Sequence, residues 1–266
     1  MAALAEGEEA AGDMIGVFDS GSGGLTVLRV LRERMPNVDI VYFGDIKNAP
    51  YGNKSREELG VLTVLGIERL IREGATEIVS ACNSVSVSIV LPMFEILDLP
   101  HANIVEMVGP TVSGLRGTEG KVLVVATHAT IESNAYQDGL RMVGVSADGL
   151  ALPDLVSLIE GGASDDAMRE YVHNALAPEL KEDHTHLLLG CTHFPLIRTI
   201  FTDVVKEVQP TCVIVDPALS VAGVVAQRFR DAGGGTTRFV ITEDSPVFVK
   251  FVQEYCGITQ PNIEVR

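Results

Sequence analysis

Basic residues are scarce in this chain of 266 residues, and its sequence contains no long apolar run. Lysine and arginine together number 20 against 36 aspartates and glutamates, which gives a formal net charge of −16 at neutral pH. Such a charge repels nucleic acid and anionic membrane surfaces. No stretch approaches the ~18 consecutive apolar residues that a membrane-spanning helix requires. The sequence therefore predicts neither a nucleic-acid partner nor a membrane partner.

Cysteine is also rare, with four residues and no Cys-X-X-Cys pair. The missing pair argues against a zinc site, and the cysteine spacing is not typical of a secreted disulfide framework. We therefore expect no metal ion and a location in the reducing cytoplasm. Free cysteine is most often a small buried hydrophobe. We interpret Cys212 and Cys256 in this way, because both lie within apolar patterns.

The other two cysteines have polar neighbours. The stretches IVSACNSVS (residues 78–86) and LLLGCTH (residues 187–193) each read as a buried strand that ends in a thiol, where a helix is expected to begin. In open α/β sheets, ligands bind at the carboxyl ends of the strands, and a helix start lowers the pKa of a neighbouring cysteine. Cys82 and Cys191 are therefore candidate reactive thiols suited to paired proton transfer, with ordinary buried cysteine as the alternative.

Two loops add further candidate binding groups. DSGSGG (residues 19–24) follows the first predicted strand and precedes an amphipathic helix, whose start would offer free amides to an anion such as a carboxylate. The dinucleotide-binding pattern GxGxxG is incomplete here, because Thr26 stands where its third glycine belongs. APYGN (residues 49–53) presents Tyr51 between a proline and a glycine, and an ordinary loop is the alternative reading.

The chain repeats one plan, in which a strand ends in polar residues and a helix follows. Strands are predicted at residues 14–18, 39–43, 121–126, 147–152 and 212–215, besides those before Cys82 and Cys191. Helices are predicted at residues 25–31, 55–72, 83–97 with a kink or restart at Pro92, 131–142, 153–160, 165–180, 218–231 and 246–255. We infer an α/β fold of two similar lobes with parallel-sheet cores, which face a shared active-site cleft.

The expected boundaries follow from this plan. Residues 14–106 plus 217–266 are assigned to the first α/β lobe, and residues 107–216 to the second. Residues 1–13 contain four acidic residues and no basic one, so they are expected to form a disordered acidic tail without the features of a signal peptide.

Four motifs occur in the order seen in the glutamate racemases. They are Asp19-Ser20-Gly21, Pro50-Tyr51-Gly52, Cys82-Asn83-Ser84 and Gly190-Cys191-Thr192-His193. ATHATIESNAY (residues 126–136) and VDP (residues 215–217) are similar to connecting segments of that family. From Met14 onward the chain thus resembles a glutamate racemase, within the aspartate/glutamate racemase superfamily. The resemblance implies interconversion of L-glutamate and D-glutamate without a cofactor, and a supply of D-glutamate for bacterial peptidoglycan synthesis.

The resemblance also assigns roles to residues of this sequence. Cys82 would deprotonate the D-enantiomer and Cys191 the L-enantiomer, with Asp19 and His193 assisting proton movement, and Glu160 matches an acidic position linked with that histidine. Substrate binding would involve Asp19, Ser20, Tyr51, Gly52, Asn83, Ser84, Thr192 and His193. None of the four motifs contains arginine or lysine, so amides and hydroxyls would have to hold the carboxylates. The oligomeric state is open, with a homodimer as the candidate.

The chemistry of thiols agrees with this assignment. Racemisation removes a proton from one face of Cα and delivers another to the opposite face. A thiol of pKa about 8.5 is only a few per cent thiolate at neutral pH, whereas a pKa of about 7 makes about half of it available. We expect the helix starts at both cysteines to lower their pKa in this way. A pyridoxal-phosphate racemase would need a lysine, and neither cysteine motif contains one.

Departures from the family pattern leave alternatives for the substrate. Ser84-Val85 replaces the usual Thr-Ala, Gly109-Pro110 replaces Glu-Pro near the lobe crossover, and Leu152-Pro153 replaces Cys-Pro. Aspartate racemisation is the nearest alternative. A decarboxylase or cis-trans isomerase of the superfamily is the second, and a non-catalytic binding protein such as a gyrase inhibitor is the third. Neither of these last two requires both cysteines in intact motifs.

Overall fold

The computed structural model describes residues 14–89 and 91–266, so the predicted acidic tail at residues 1–13 lies outside the described residues. Within these ranges the chain forms ten strands: β1 (Met14–Asp19), β2 (Asp39–Gly44), β3 (Glu77–Ser80), β4 (Ile104–Val105), β5 (Lys121–Ala126), β6 (Ser146–Ala151), β7 (His184–Gly190), β8 (Val213–Val215), β9 (Thr237–Ile241) and β10 (Asn262–Val265). Short 3₁₀ helices lie at Ile46–Asn48, Tyr51–Asn53, His101–Asn103 and Phe194–Ile197.

The same ranges form twelve α-helices: α1 (Leu25–Arg34), α2 (Arg56–Arg72), α3 (Asn83–Ser86), α4 (Leu91–Ile96), α5 (Val108–Gly114), α6 (His128–Glu132), α7 (Ala135–Met142), α8 (Leu155–Glu160), α9 (Asp165–Leu176), α10 (Arg198–Val208), α11 (Pro217–Arg228) and α12 (Pro246–Cys256). None of the helices in the described part of the chain combines the length and apolar character needed to cross a lipid bilayer.

The strands form two separate sheets, in which all neighbouring strands run parallel. The first sheet has the order β10-β9-β2-β1-β3-β4, and the second has the order β6-β5-β7-β8. The central strands are apolar runs, such as VLVV at residues 122–125, that are buried on both faces. This pattern is typical of parallel sheets covered by helices on both sides. The predicted α/β fold with two parallel-sheet cores is confirmed.

Helices cover both faces of each sheet. On the first sheet, α1, α11 and α12 form one apolar layer, and α2, α3 and α4 form the other. On the second sheet, α8, α9 and α10 pack on one face, while α5 and α7 pack on the opposite face. The longest helix, α2, starts at a capping box in which Ser55 and Glu58 satisfy each other's backbone N–H groups.

The chain passes between the sheets twice, once between β4 and β5 and once between β8 and β9. Helix α5 lies in the first crossing segment and α11 in the second, and the two helices pack together. Their approach is close, since a Cβ on Gly114 would lie 3.0 Å from Ser220 Oγ. The two crossings are therefore neighbours in space. The lobe boundaries themselves, 14–106 plus 217–266 and 107–216, stay a prediction.

Four predicted helices end or break earlier than expected, and one of them, predicted at residues 218–231, ends at Arg228. The helix predicted at residues 131–142 is divided into α6 and α7, because Asn134 adopts the left-handed conformation with φ 56°. Helix α9 stops at Leu176 rather than at residue 180, because Pro178 has no backbone N–H with which to continue the helical hydrogen bonds. The segment after Cys82 forms the short α3, and a new helix then starts at Leu91 with proline in its first turn.

Sequence reasoning missed three strands of the first sheet. Strand β4 has only two residues, and β10 lies at the edge of the sheet. Strand β9 contains Arg238, whose side chain would suit an exposed loop but here forms an ion pair with Glu73 Oε2 at 2.5 Å. This pairing with the end of α2 holds a charged residue within the sheet, which the local sequence does not reveal.

Gly66, in the middle of α2, lies against Phe18, and an added Cβ would overlap the phenyl ring. We expect Gly66→Ala to lower the free energy of unfolding by about 1–3 kcal/mol, because overpacking outweighs the better helix propensity of alanine. Gly60 in the same helix is the matched control, since its Cβ would meet only Met93 Cε at 3.5 Å. Gly60→Ala should raise stability by about 0.5–1 kcal/mol. Urea unfolding measures both, and equal stability of the two variants would contradict this packing.

Candidate active site

A cavity of about 240 Å³ lies where the carboxyl ends of strands from both sheets meet. Cys82 follows β3 of the first sheet, Cys191 follows β7 of the second, and both side chains line this one cavity. The other predicted site residues on its wall are Ser20, Tyr51, Gly52, Asn83, Ser84, Glu160, Thr192 and His193. Asp19 is the one predicted site residue that does not line it. The functional roles of these residues stay predictions.

The Cys82 side of the cavity contains a hydroxyl and a nearby carboxylate. Its thiol is 6% exposed and lies 3.7 Å from the hydroxyl of Ser20. Burial raises the pKa of the Cys82 thiol to about 12, and the nearby Asp19 carboxylate acts in the same direction. The prediction of a low pKa for Cys82 was wrong, although the helix start acts in the predicted direction. Helix α3 has only four residues, and its amide at Val85 together with the Ser20 hydroxyl offsets the burial only in part.

The Cys191 side contains a histidine and a glutamate. Cys191 Sγ lies 3.9 Å from His193 Nδ1, and His193 Nε2 lies 2.7 Å from Glu160 Oε1. Ser22, in the glycine-rich turn of the first sheet, donates its hydroxyl hydrogen to the same glutamate oxygen. The predicted helix start is absent directly after Cys191, because a bend and the 3₁₀ helix Phe194–Ile197 follow it. The charged neighbour of this thiol is therefore His193.

The charges of His193 and Glu160 support each other. Burial disfavours the imidazolium of His193, but its contacts with Cys191 and Glu160 raise the pKa well above the ordinary value of 6.5. Burial likewise disfavours the carboxylate of Glu160, yet hydrogen bonds from His193 and Ser22 hold the pKa of Glu160 below its usual value. A positively charged imidazole hydrogen-bonded to a carboxylate is the consequence.

Asp19 lies behind the cavity wall. Its carboxylate is fully buried, accepts a hydrogen bond from the Gly21 amide at 2.8 Å, and accepts a second from Thr192 Oγ1 at 3.4 Å. Burial raises the pKa of Asp19, although the positive charge of His193 and the amides of Gly24 and Gly21 oppose the shift. Asp19 thus joins the turn of the first sheet to the cysteine loop of the second.

The remaining wall is made of amides and hydroxyls. Asn83 is 2% exposed, its Oδ1 accepts a hydrogen bond from Tyr136, and its Nδ2 has no hydrogen-bond partner among the described residues. The hydroxyls of Ser84 and Thr127 lie 3.1 Å apart and join the two sheets. Tyr51 donates its phenolic hydrogen to Asp45 Oδ2 at 2.6 Å, so this hydroxyl is already engaged.

The cavity wall contains no lysine or arginine among the described residues. Within the described ranges, no group of three or more His, Cys, Asp or Glu side chains is arranged to hold a metal ion. The chemistry that this wall offers consists of two thiols, one imidazole, one carboxylate, the carboxamides of Asn53 and Asn83, and several hydroxyls.

Sequence reasoning missed two positions that shape the site. Thr127 lines the cavity at the end of β5, and its place in a polar strand end was the signal that could have identified it. Gly52 packs on it so closely that a Cβ would lie 2.6 Å from Thr127 Cβ. Gly23 is a second such position, because an added Cβ would overlap the His193 ring. These glycines permit close approach of the two sheets' loops.

The chain matches the sequence model of one protein family and the sequences of several relatives. The sequence model of the Asp/Glu/Hydantoin racemase family matches residues 26–224. Glutamate racemase 1 of Caldanaerobacter subterraneus is 34% identical over 250 residues, which cover 89% of this chain and 90% of that protein. The glutamate racemase of Carboxydothermus hydrogenoformans is 33% identical over 251 residues, covering 91% of this chain and 92% of that one.

Solved structures agree with the sequence comparison. The glutamate racemase from Francisella tularensis in complex with D-glutamate superposes with a TM-score of 0.84 and 28% identity, over 96% of this chain and 97% of that chain. The RacE1 isoform of glutamate racemase from Bacillus anthracis superposes with the same TM-score of 0.84 at 28% identity. The resemblance to glutamate racemases drawn from the four motifs is thereby confirmed, and the chain belongs to the Asp/Glu/Hydantoin racemase family.

Proposed function

We propose that this protein interconverts L-glutamate and D-glutamate, with Cys82 and Cys191 as the two groups that exchange protons with Cα. The single observation that carries the proposal is that the two thiols come from different sheets and line one small cavity. Racemisation needs one proton acceptor and one proton donor on opposite faces of the same carbon atom. In a cavity between two sheets, the thiol from each sheet can approach a different face of that carbon atom.

Substrate carboxylates are held by neutral donors in this proposal. Asn83 lines the cavity, and its buried Nδ2 group has no partner among the described residues, so we assign this group as a donor to an anion. Hydroxyls of Ser84 and Thr192 lie on the same wall. Hydrogen bonds from neutral donors to a carboxylate are stronger than those between neutral groups, because one partner is ionised.

Cys191 begins the reaction on L-glutamate. The imidazolium of His193 lies 3.9 Å from the Cys191 sulfur, which must remove the Cα proton. Glu160 holds the other nitrogen of this ring at 2.7 Å and keeps the imidazole charged and oriented. The proton taken from Cα then resides on the Cys191 sulfur.

Cys82 completes the reaction by delivering its proton to the opposite face. The raised pKa of the Cys82 thiol, about 12, keeps it protonated and ready to donate. In the reverse direction Cys82 must act as a thiolate. The ammonium group of D-glutamate supplies the positive charge that this side of the cavity lacks, and Asp19 is the predicted aid to proton movement.

The wider role follows from the resemblance alone. We propose that D-glutamate made by this protein supplies peptidoglycan synthesis. Four further properties stay predictions. They are location in the cytoplasm, a homodimeric state, independence of metal and cofactor, and a partner set limited to the small-molecule substrate.

Exchange of the Cα hydrogen tests the reaction and the substrate together. L-glutamate, D-glutamate, L-aspartate and D-aspartate are incubated separately in deuterated buffer, and proton NMR and optical rotation are followed. We expect exchange and loss of optical activity with both glutamates and much slower change with both aspartates. Equal or faster turnover of aspartate would overturn the substrate assignment, and exchange that depends on added pyridoxal phosphate would overturn the thiol mechanism.

Serine variants test the two thiols. Cys82→Ser and Cys191→Ser should each lower net racemisation by about a hundred- to ten-thousandfold, the contribution typical of general acid–base groups. Cys191→Ser should retain some one-sided deuterium uptake into D-glutamate, and Cys82→Ser some uptake into L-glutamate. Cys212→Ser is the matched control, because Cys212 is buried in the second sheet's apolar layer outside the cavity. Normal racemisation by a folded Cys82 or Cys191 variant would eliminate the mechanism.

The charge of His193 is a separate prediction. Because the pKa of His193 is raised and that of the partly buried His186 is lowered by burial, His193 should stay protonated at pH values where His186 is neutral. Imidazole ¹⁵N shifts recorded across pH measure both. Glu160→Gln removes the stabilising charge and should lower the pKa of His193 while leaving His186 unchanged. A neutral His193 below pH 6.5 in the unaltered protein would refute this account.

A further inference from the structure

Tyr136 is a fully buried residue that no motif singles out as part of the site. It lies on α7, and its ring belongs to the apolar layer that also contains Val112, Leu140 and Leu188 on one face of the second sheet. It does not line the cavity. The break at Asn134 places Tyr136 in the first turn of a separate helix rather than in the middle of a longer one.

The hydroxyl of Tyr136 reaches across to the first sheet's site loop. It donates to Asn83 Oδ1 at 2.6 Å, and its alternative acceptor, the Met107 carbonyl, lies at 3.4 Å. That carbonyl already accepts a hydrogen bond from Thr111 Oγ1 at 2.6 Å. Geometry therefore favours Asn83 as the acceptor. Burial raises the pKa of Tyr136 well above its usual value, so the hydroxyl keeps its hydrogen.

The contact determines which end of the Asn83 carboxamide is free. Carboxamide oxygen and nitrogen are nearly equal in size, so hydrogen-bond partners decide the orientation of the group. A permanent donor at Oδ1 leaves Nδ2 as the end that has no partner among the described residues. Asn83 directly follows Cys82 and lines the cavity. An NH₂ group thus remains to meet an anion.

We propose that Tyr136 is a positioning residue for the racemisation, because its hydroxyl orients the Asn83 carboxamide with NH₂ available to a substrate carboxylate. This inference rests on the proposed function. Tyr136 acts only through Asn83 and does not touch the substrate. Without the hydroxyl the carboxamide can turn its oxygen towards the carboxylate, and two acceptors facing each other repel.

Tyr136→Phe removes the hydroxyl and keeps the ring in its apolar layer. We expect KM for both glutamate enantiomers to rise about tenfold with kcat nearly unchanged, since the lost interaction holds substrate and transition state alike. Tyr255→Phe is the matched control, because Tyr255 packs its ring 4.6 Å from the Arg29 guanidinium and lies outside the cavity. It should leave KM unchanged. An unaltered KM in Tyr136→Phe would overturn the proposal.

A double-mutant cycle separates positioning from general structural support. Asn83→Ala should raise KM by itself, and adding Tyr136→Phe to it should cause no further change, because the group that the tyrosine orients is gone. A tyrosine that merely supports the fold would add its full effect in both backgrounds, and that result would refute the proposal. Thermal unfolding of all four proteins establishes that they are folded.

The side-chain amide resonance of Asn83 gives a readout that does not depend on activity. Its ¹H–¹⁵N signal, identified by its loss in Asn83→Ala, should shift in Tyr136→Phe and stay in place in Tyr255→Phe. An unshifted signal in Tyr136→Phe would overturn the proposal whether or not the unaltered protein acts on glutamate. Conversely, the signal could shift in Tyr136→Phe while the unaltered protein shows no racemase activity. That result would refute the proposed function but support the hydrogen bond between Tyr136 and Asn83.

Discussion

Polar side chains buried between the two sheets must find hydrogen-bond partners, because an unpaired polar group away from water is expensive. In this protein they find them on the opposite sheet. The pairs that join the first sheet's loops to the second sheet's loops are Ser22–Glu160, Asp19–Thr192, Asn83–Tyr136 and Ser84–Thr127. Six residues of the cavity wall take part in these pairs: Ser22, Glu160, Thr192, Asn83, Ser84 and Thr127. The Asn83 NH₂ group differs from these pairs because it has no partner among the described residues, and binding of an anion would satisfy it.

The two thiols have different surroundings. Cys191 has an imidazolium beside it, whereas Cys82 has only a hydroxyl, one short helix and a nearby carboxylate. The proposed reaction, which runs in both directions, does not require the two surroundings to match. It requires a proton on one sulfur whenever the other is charged.

Apolar strands that end in polar residues and are followed by helices were sufficient to predict the α/β fold and to identify Cys82 and Cys191, whereas most other candidate site residues came from the family resemblance. The apolar runs before Cys82 and Cys191 are central parallel strands, as their composition indicates, and both end at the cavity. Contacts between distant segments were not predictable in this way. The desolvation that raises the pKa of Cys82 depends on packing from both sheets, and the partners of Arg238 and Tyr136 lie far away in sequence. Local patterns do not specify such contacts.

The two adjacent crossings between the sheets also limit how this molecule can deform. A single connection would let one sheet swing in several directions, whereas two neighbouring connections, packed together through α5 and α11, favour rotation about one axis. Any rotation that separated the sheets at the cavity would have to break the hydrogen bonds that join their loops there.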